Sequence, residues 1–227
     1  MINREKQKEL AARAAVEYVQ DGMVVGLGTG STAAYAIHLI SDKIKAGLDV
    51  HGVPTSIGVE KMARELGVPI SDYTHEPTSV DLVIDGADES DAHLNVVKGG
   101  GGALLREKIV AAMSRKVIFI ADASKLKTVL GAFPLPVEVM PFGWRSTARF
   151  IKSLGAQEVE LRKRDGEVFV TDNKNWILDC RFERIAEPET LSKALNAVPG
   201  VVENGLFIDL CDVLILADGN GKIQKIE

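Results

Sequence analysis

Cysteine is scarce: two residues, Cys180 and Cys211, stand in 227, without CxxC spacing. Such usage argues against a disulfide-stapled scaffold or a CxxC metal or redox centre, and fits free thiols in a reducing cytosol. Histidine is sparse as well. His38, His51, His75 and His93 are scattered and form no HExxH, so spacing points to no metal site. Positive charge is in deficit, with a net charge of −5, which argues against a nucleic-acid binder. An anionic ligand would have to be held by a few local lysines and by backbone N–H groups. No apolar run approaches membrane-spanning length. The charged, amphipathic N-terminal stretch lacks the apolar core and cleavage site of a signal peptide. These absences predict a cytoplasmic protein that takes a small molecule, with no nucleic acid and no membrane as partner.

What is present is a globular composition, 46% apolar and 26% charged, with length for one large domain or two modest ones. Helical spacing predicts helices over 4–20, 31–44, 57–67, 103–114, 144–155 and 187–200. Compact apolar runs predict strands in "MVVGLG", "DVHGVPTS", "VDLVIDGADE" and "KVIFIADAS", with a further short strand in "VPISDY". This alternation predicts an α/β fold: an open, mainly parallel Rossmann-like sheet with helices on both faces. The texture changes near Phe133. From there a β-α-β-β-α-β order, with an Asp165–Gly166 hairpin turn, predicts a smaller α+β domain of split-βαβ, ferredoxin-like type. The tail "DVLILADGNGKIQKI" reads as a buried strand and hairpin that rejoins the first domain. The expected division is 1–130 with 207–227 as the α/β domain, and 131–206 as an insertion near the C-terminus.

Four stretches carry chemistry. "GLGTGSTA" places Gly28-x-Gly30-x-x-Ala33 between a strand and a helix. The dinucleotide fold would add an acid at the end of the second strand, yet that strand ends "VPTS". An ATP loop would close on Gly-Lys-Ser/Thr, and here Gly30 is followed by Ser31 and Thr32. A general phosphate cradle survives, with backbone N–H groups and the Thr29, Ser31 and Thr32 hydroxyls around an anion; the alternative is a turn whose glycines serve packing only. In "LVIDGADES", Asp85 and Asp88 follow an apolar strand, with Gly86 and Ala87 between them, where parallel sheets bind ligands. In "KGGGGALLREK", Lys98 leads four consecutive glycines. Gly99, Gly100 and Gly101 are costly in conformational entropy and useful for close backbone approach and N–H donors. Glu107 follows, with Ala103, Leu104, Val110 and Ala111 at helical spacing, so it falls in the apolar stripe between Arg106 and Lys108. A carboxylate placed there is partly desolvated, which raises its pKa and suits a base. In "ADASK", Lys125 follows another strand and suits a phosphate as a point charge. Lys8, on the first helix, is a weaker candidate of the same kind.

These motifs, with "FPLPVEV" and "NAVPGVVENGLF", occur in the order seen in ribose-5-phosphate isomerase of the A type, and the resemblance covers nearly the whole chain. It implies interconversion of D-ribose 5-phosphate and D-ribulose 5-phosphate in the pentose phosphate pathway, without metal or organic cofactor. It makes Glu107 the general base, Thr29–Thr32 the substrate loop, Asp85–Asp88 the acidic turn and Lys98–Gly101 a substrate contact. Lys125 and Lys8 become binding lysines, and the assembly a homodimer or homotetramer. Chemistry assigns Asp85, with Asp88, to opening the sugar ring, and Lys98 with the glycine N–H groups to the oxyanion of an enediolate. Two rival readings stand beside this one. A sugar-phosphate deaminase or lactonase on a similar scaffold would recruit a histidine, and none falls in the motifs. A non-enzymatic sugar-phosphate sensor would need the loop but not Glu107.

Overall fold

The computed structural model describes residues 2–71 and 79–227. The chain begins with α1 (Arg4–Val16), β1 (Met23–Leu27), α2 (Ser31–Lys45), β2 (Val50–Pro54), α3 (Ile57–Glu65) and β3 (Leu82–Gly86). Two short strands follow, β4 (Glu89–Ser90) and β5 (Val96–Val97), then α4 (Leu104–Ala112) and β6 (Val117–Asp122). Next come β7 (Leu135–Val139), α5 (Trp144–Ser153), β8 (Glu158–Leu161), β9 (Lys163–Arg164), β10 (Glu167–Val168) and β11 (Trp176–Arg181). The chain closes with α6 (Pro188–Asn196), β12 (Val201–Asn204), β13 (Leu206–Phe207), β14 (Val213–Ala217) and β15 (Ile223–Ile226). The expected strand in "VPISDY" is reduced to one bridge between Ile70 and Gly52; Asp72 and Tyr73 lie outside the described residues.

Two compact units divide the chain. The first comprises 1–87, 106–125 and 210–227; the second comprises 88–105 and 126–209. This division departs from the expected boundaries chiefly at 88–105. The reason is pairing: β4 and β5 form a three-stranded sheet with β13, in the order β13-β5-β4, rather than extending the large sheet.

The first unit is a six-stranded sheet in the order β15-β14-β6-β3-β1-β2, parallel except for the edge hairpin β14–β15. The tail thus joins it through β14 on β6. One face carries Val25, Leu27, Leu82, Ile84, Ile118, Ile120 and Ile215, packed with the buried faces of α1, α2 and α3. The intervening residues Val83, Phe119, Ala121, Leu214 and Leu216 are buried too. Val110 of α4 covers that second face, where a Cβ on Gly26 would come within 2.7 Å of it. Helices therefore cover both faces, which is why the strands read as continuous apolar runs. Helix α1 is shorter than its pattern, and its buried residues are mainly alanines, Ala11, Ala12 and Ala15, with Val16. Such small side chains permit a close approach of helix to helix and sheet.

The second unit holds an antiparallel sheet in the order β12-β7-β11-β8, with α5 and α6 in the β-α-β-β-α-β sequence expected of a ferredoxin-like unit. Its core includes Leu135, Val137, Val139, Ile151, Leu178, Cys180 and Leu195. The β9–β10 hairpin turns at Asp165 and Gly166, both with positive φ (52° and 86°), as an Asp-Gly type I′ turn requires.

Candidate active site

In the first unit, three motifs sit at the carboxyl ends of adjacent parallel strands: Thr29–Thr32 after β1, Asp85 at the end of β3, and Lys125 after β6. Between β1 and β3 the strand order reverses, since β1 leads to β2 on one side while β3 lies on the other. Open α/β sheets bind ligands at such a switch point. Gly28 is required there. A Cβ on it would overlap the Asp85 carboxylate, so the missing side chain lets the loop lie against that acid. Asp85 is 1% exposed, and the Gly86 N–H donates to its Oδ1 at 2.7 Å.

The loop is held by hydroxyls. Thr29 Oγ1 lies 2.8 Å from Thr55 Oγ1 and 2.9 Å from Ser56 Oγ. Ser56 caps α3 by accepting from Val59 N–H, and Thr55 donates to the Leu27 carbonyl. The "VPTS" segment that lacked a dinucleotide acid therefore has another use, as a buttress for Thr29. The N-cap of α2 is Gly30, whose φ of 119° suits glycine; it makes no side-chain cap bond. The first-turn N–H groups of α2 are thus not capped by the Gly30 position, as an anion-accepting helix start requires. Ser31 Oγ accepts from Lys8 Nζ at 3.0 Å, and Lys8 also pairs with Glu5 at 2.7 Å.

Glu107 is 3% exposed, in the first turn of α4, so the burial expected from its apolar neighbours is found. Its position follows from Val110, one turn later on the same stripe, which packs toward Gly26 and Val83. Helix α4 returns the chain so that β6 can run parallel to β3, and therefore runs antiparallel to the strands. One turn toward its N-terminus is one step toward the strand ends, where Gly28 and Asp85 lie.

The second unit carries the remaining motif residues. Asp88 Oδ2 accepts from the Gly100 N–H at 2.7 Å, and the Asp88 N–H donates to the Val97 carbonyl. The expected donors of the glycine run are thus not all open: Gly100 already serves Asp88. Lys98 is 2% exposed, with Nζ 5.7 Å from the Phe207 ring centroid; its N–H donates to Gly205 O. Gly99 has a φ of 102°. Ala87 ends the first segment of the first unit. Among the described residues, no group of three or more His, Cys, Asp or Glu is placed to hold a metal ion.

Residues 51–221 match the family model of ribose 5-phosphate isomerase A (phosphoriboisomerase A). The chain belongs to that family. A ribose-5-phosphate isomerase A of Cereibacter sphaeroides is 51% identical over 224 residues, covering 95% of this chain and 89% of its own length. A solved D-ribose-5-phosphate isomerase in complex with phospho-erythronic acid superposes with a TM-score of 0.95 at 39% identity, covering both chains completely. The ribose 5-phosphate isomerase A of Methanocaldococcus jannaschii gives 0.92 at 38% identity, over 98% of this chain and 99% of its own. Such coverage shows that these isomerases share the fold of this chain.

Sequence reasoning passed over the Thr55–Ser56 buttress and one residue of the second unit, Arg162, whose partners lie 17 and more than 60 positions away. No local motif signals either.

Proposed function

We infer that the protein is an aldose–ketose isomerase interconverting D-ribose 5-phosphate and D-ribulose 5-phosphate, the reaction for which its family is named. The observation that carries the residue assignment is Glu107: a buried carboxylate in the first turn of α4, at the helix end nearest the strand ends of the switch point. Glu107 takes the proton from carbon 2 of the open-chain sugar. The electron pair moves through the C1–C2 bond onto the carbonyl oxygen, giving an enediolate. The same carboxyl returns the proton to carbon 1, while a hydroxyl proton passes from O2 to O1. Burial keeps bulk water from intercepting the proton.

Asp85, held against the Gly28 turn, is assigned to ring opening. Thr29–Thr32 and Lys125 are assigned to the phosphate, so that binding energy at the remote end orients the reacting carbons. Lys8 reaches that loop through Ser31. Asp88, Lys98 and Gly99–Gly101 are assigned by their motifs: Asp88 to assist ring opening, the others to stabilise the oxyanion. The phospho-erythronic acid of the solved relative, a phosphorylated sugar acid, is in keeping with such a substrate. A homodimer or homotetramer and a cytoplasmic location go with this reading; light scattering of the purified protein decides the first.

Steady-state conversion of ribose 5-phosphate in the presence of chelator tests the reading. Wild type turns over, and Glu107→Gln loses about 10³-fold in kcat, within the range general acid–base groups supply, while still binding substrate. Turnover retained in Glu107→Gln removes the base assignment.

A further inference from the structure

Arg162 stands directly after β8 and belongs to none of the motifs. Its side chain is 13% exposed. Nε donates to Asp179 Oδ2 at 2.9 Å, and Nη2 to Asp179 Oδ1. Nη1 donates to two successive carbonyls of the glycine run, Gly99 O at 2.8 Å and Gly100 O at 3.2 Å. One edge of the guanidinium is thus saturated by a carboxylate on β11, and Nη1 spans two peptide oxygens. In a trans peptide the C=O and the following N–H point in opposite directions. Holding Gly99 O therefore aims the Gly100 N–H, which meets Asp88 Oδ2 at 2.7 Å. Holding Gly100 O aims the Gly101 N–H away from Arg162. The same hairpin grips the run a second time, because the Phe169 ring occupies the space a Gly102 side chain would fill. That ring is flanked by the Arg162 and Arg164 guanidinium groups, at 6.0 and 4.5 Å.

A free run of four glycines samples many peptide orientations and offers no fixed donors. Donors stabilise a developing charge only when their direction is set beforehand. We propose that Arg162, oriented by Asp179, is a positioning residue for the isomerase reaction: it fixes the Gly99–Gly101 peptide planes and, through the Gly100 N–H, the Asp88 carboxylate. This rests on the isomerase reading above. The planar fork suits the role, because a lysine offers its three N–H donors from a single nitrogen and cannot grip a carboxylate on one edge while spanning two carbonyls from another.

The test compares Arg162→Met, Arg162→Lys and Asp179→Asn with wild type by kcat and KM for ribose 5-phosphate, thermal unfolding, and the amide NMR signals of Gly100 and Gly101. Arg181→Met, which removes an exposed partner of Glu158 on the same sheet, is the control. Arg162→Met is expected to lower kcat 10- to 100-fold with KM changed less than threefold, and to shift or broaden both glycine amides. Arg162→Lys recovers part of the kcat, and Arg181→Met has none of these effects. A kcat per folded molecule within twofold of wild type in Arg162→Met, with unmoved glycine amides, overturns the proposal and leaves Arg162 a structural cross-link. Should Arg162→Met fail to fold, Asp179→Asn carries the test: a three- to tenfold loss in kcat is expected, and wild-type kcat overturns it. A wild type that does not isomerise ribose 5-phosphate would instead refute the isomerase reading, while the amide signals still report whether Arg162 holds the run.

Discussion

The two units bury carboxylates in different settings. In the first, Asp85 and Glu107 lie beneath the surface at the carboxyl ends of a parallel sheet, amid apolar strands and an apolar helix stripe. In the second, buried acids bind backbone and loop groups. Glu89 accepts from the Gly131 and Phe133 N–H groups, each at 2.8 Å. Glu138 Oε1 accepts from Thr171 and Asn175, each at 2.9 Å, and from Asn173 at 3.2 Å. Half-buried Asp179 likewise aligns Arg162. A buried charge is retained only where something compensates its desolvation. In the second unit the compensation is structural and visible as hydrogen bonds that tie loops down. In the first, Asp85 and Glu107 stand at the carboxyl-end edge of the sheet, where parallel α/β sheets bind ligands and where the proposed chemistry assigns them.

The contrast can be broken by substitution. Asp85→Asn should lower kcat on the cyclic sugar about 100-fold, the scale of a general acid–base contribution, and cost less on an open-chain substrate, with the unfolding temperature nearly unchanged. Equal losses on both substrates reject ring opening as its task. Glu89→Ala should do the reverse. Two buried backbone N–H groups lose their acceptor, costing about 2–3 kcal/mol in denaturant-measured stability, while kcat of the folded protein changes little. Lys125→Ala should raise KM about tenfold with kcat held near wild type, as loss of uniform binding does; an unchanged KM argues against phosphate contact. The smallest effect concerns the thiols. Burial pushes Cys211 up to about 12 and Cys180 higher still, the Asp179 charge adding to burial in the latter. Both stay protonated at pH 8, so alkylation of the native protein is slow and that of the unfolded protein fast. Since the folded thiols titrate above the unfolded ones, their contribution to stability is full below about pH 8.5 and is lost as pH rises through the alkaline range.

The same contrast explains what was legible in the sequence. Strand-end motifs are local: "GLGTGSTA", "DGADE" and "ADASK" each follow their own strand, so apolar runs and turn residues are enough to place them. Glu107 was readable because helical spacing puts it in the stripe with Val110. The β-α-β-β-α-β order of the second unit was legible for the same reason. Pairing across long separations was not. The strands β4 and β5 are two residues each; they pair with each other, and β5 takes its second partner, β13, from more than 100 positions away, which moved the 88–105 segment out of the expected first domain. Arg162 reads as one arginine among neighbours Lys163 and Arg164; only the fold shows which of the three meets the glycine carbonyls.

The measurement that bears most directly on the account is isotope exchange at the sugar carbons. Ribose 5-phosphate is incubated with the protein and chelator in deuterium oxide, and carbons 1 and 2 are followed by NMR. The account predicts ribulose 5-phosphate carrying deuterium at carbon 1, with the signal abolished in Glu107→Gln. Tight binding of the sugar phosphate with neither exchange nor product would contradict it and leave a sugar-phosphate sensor in its place.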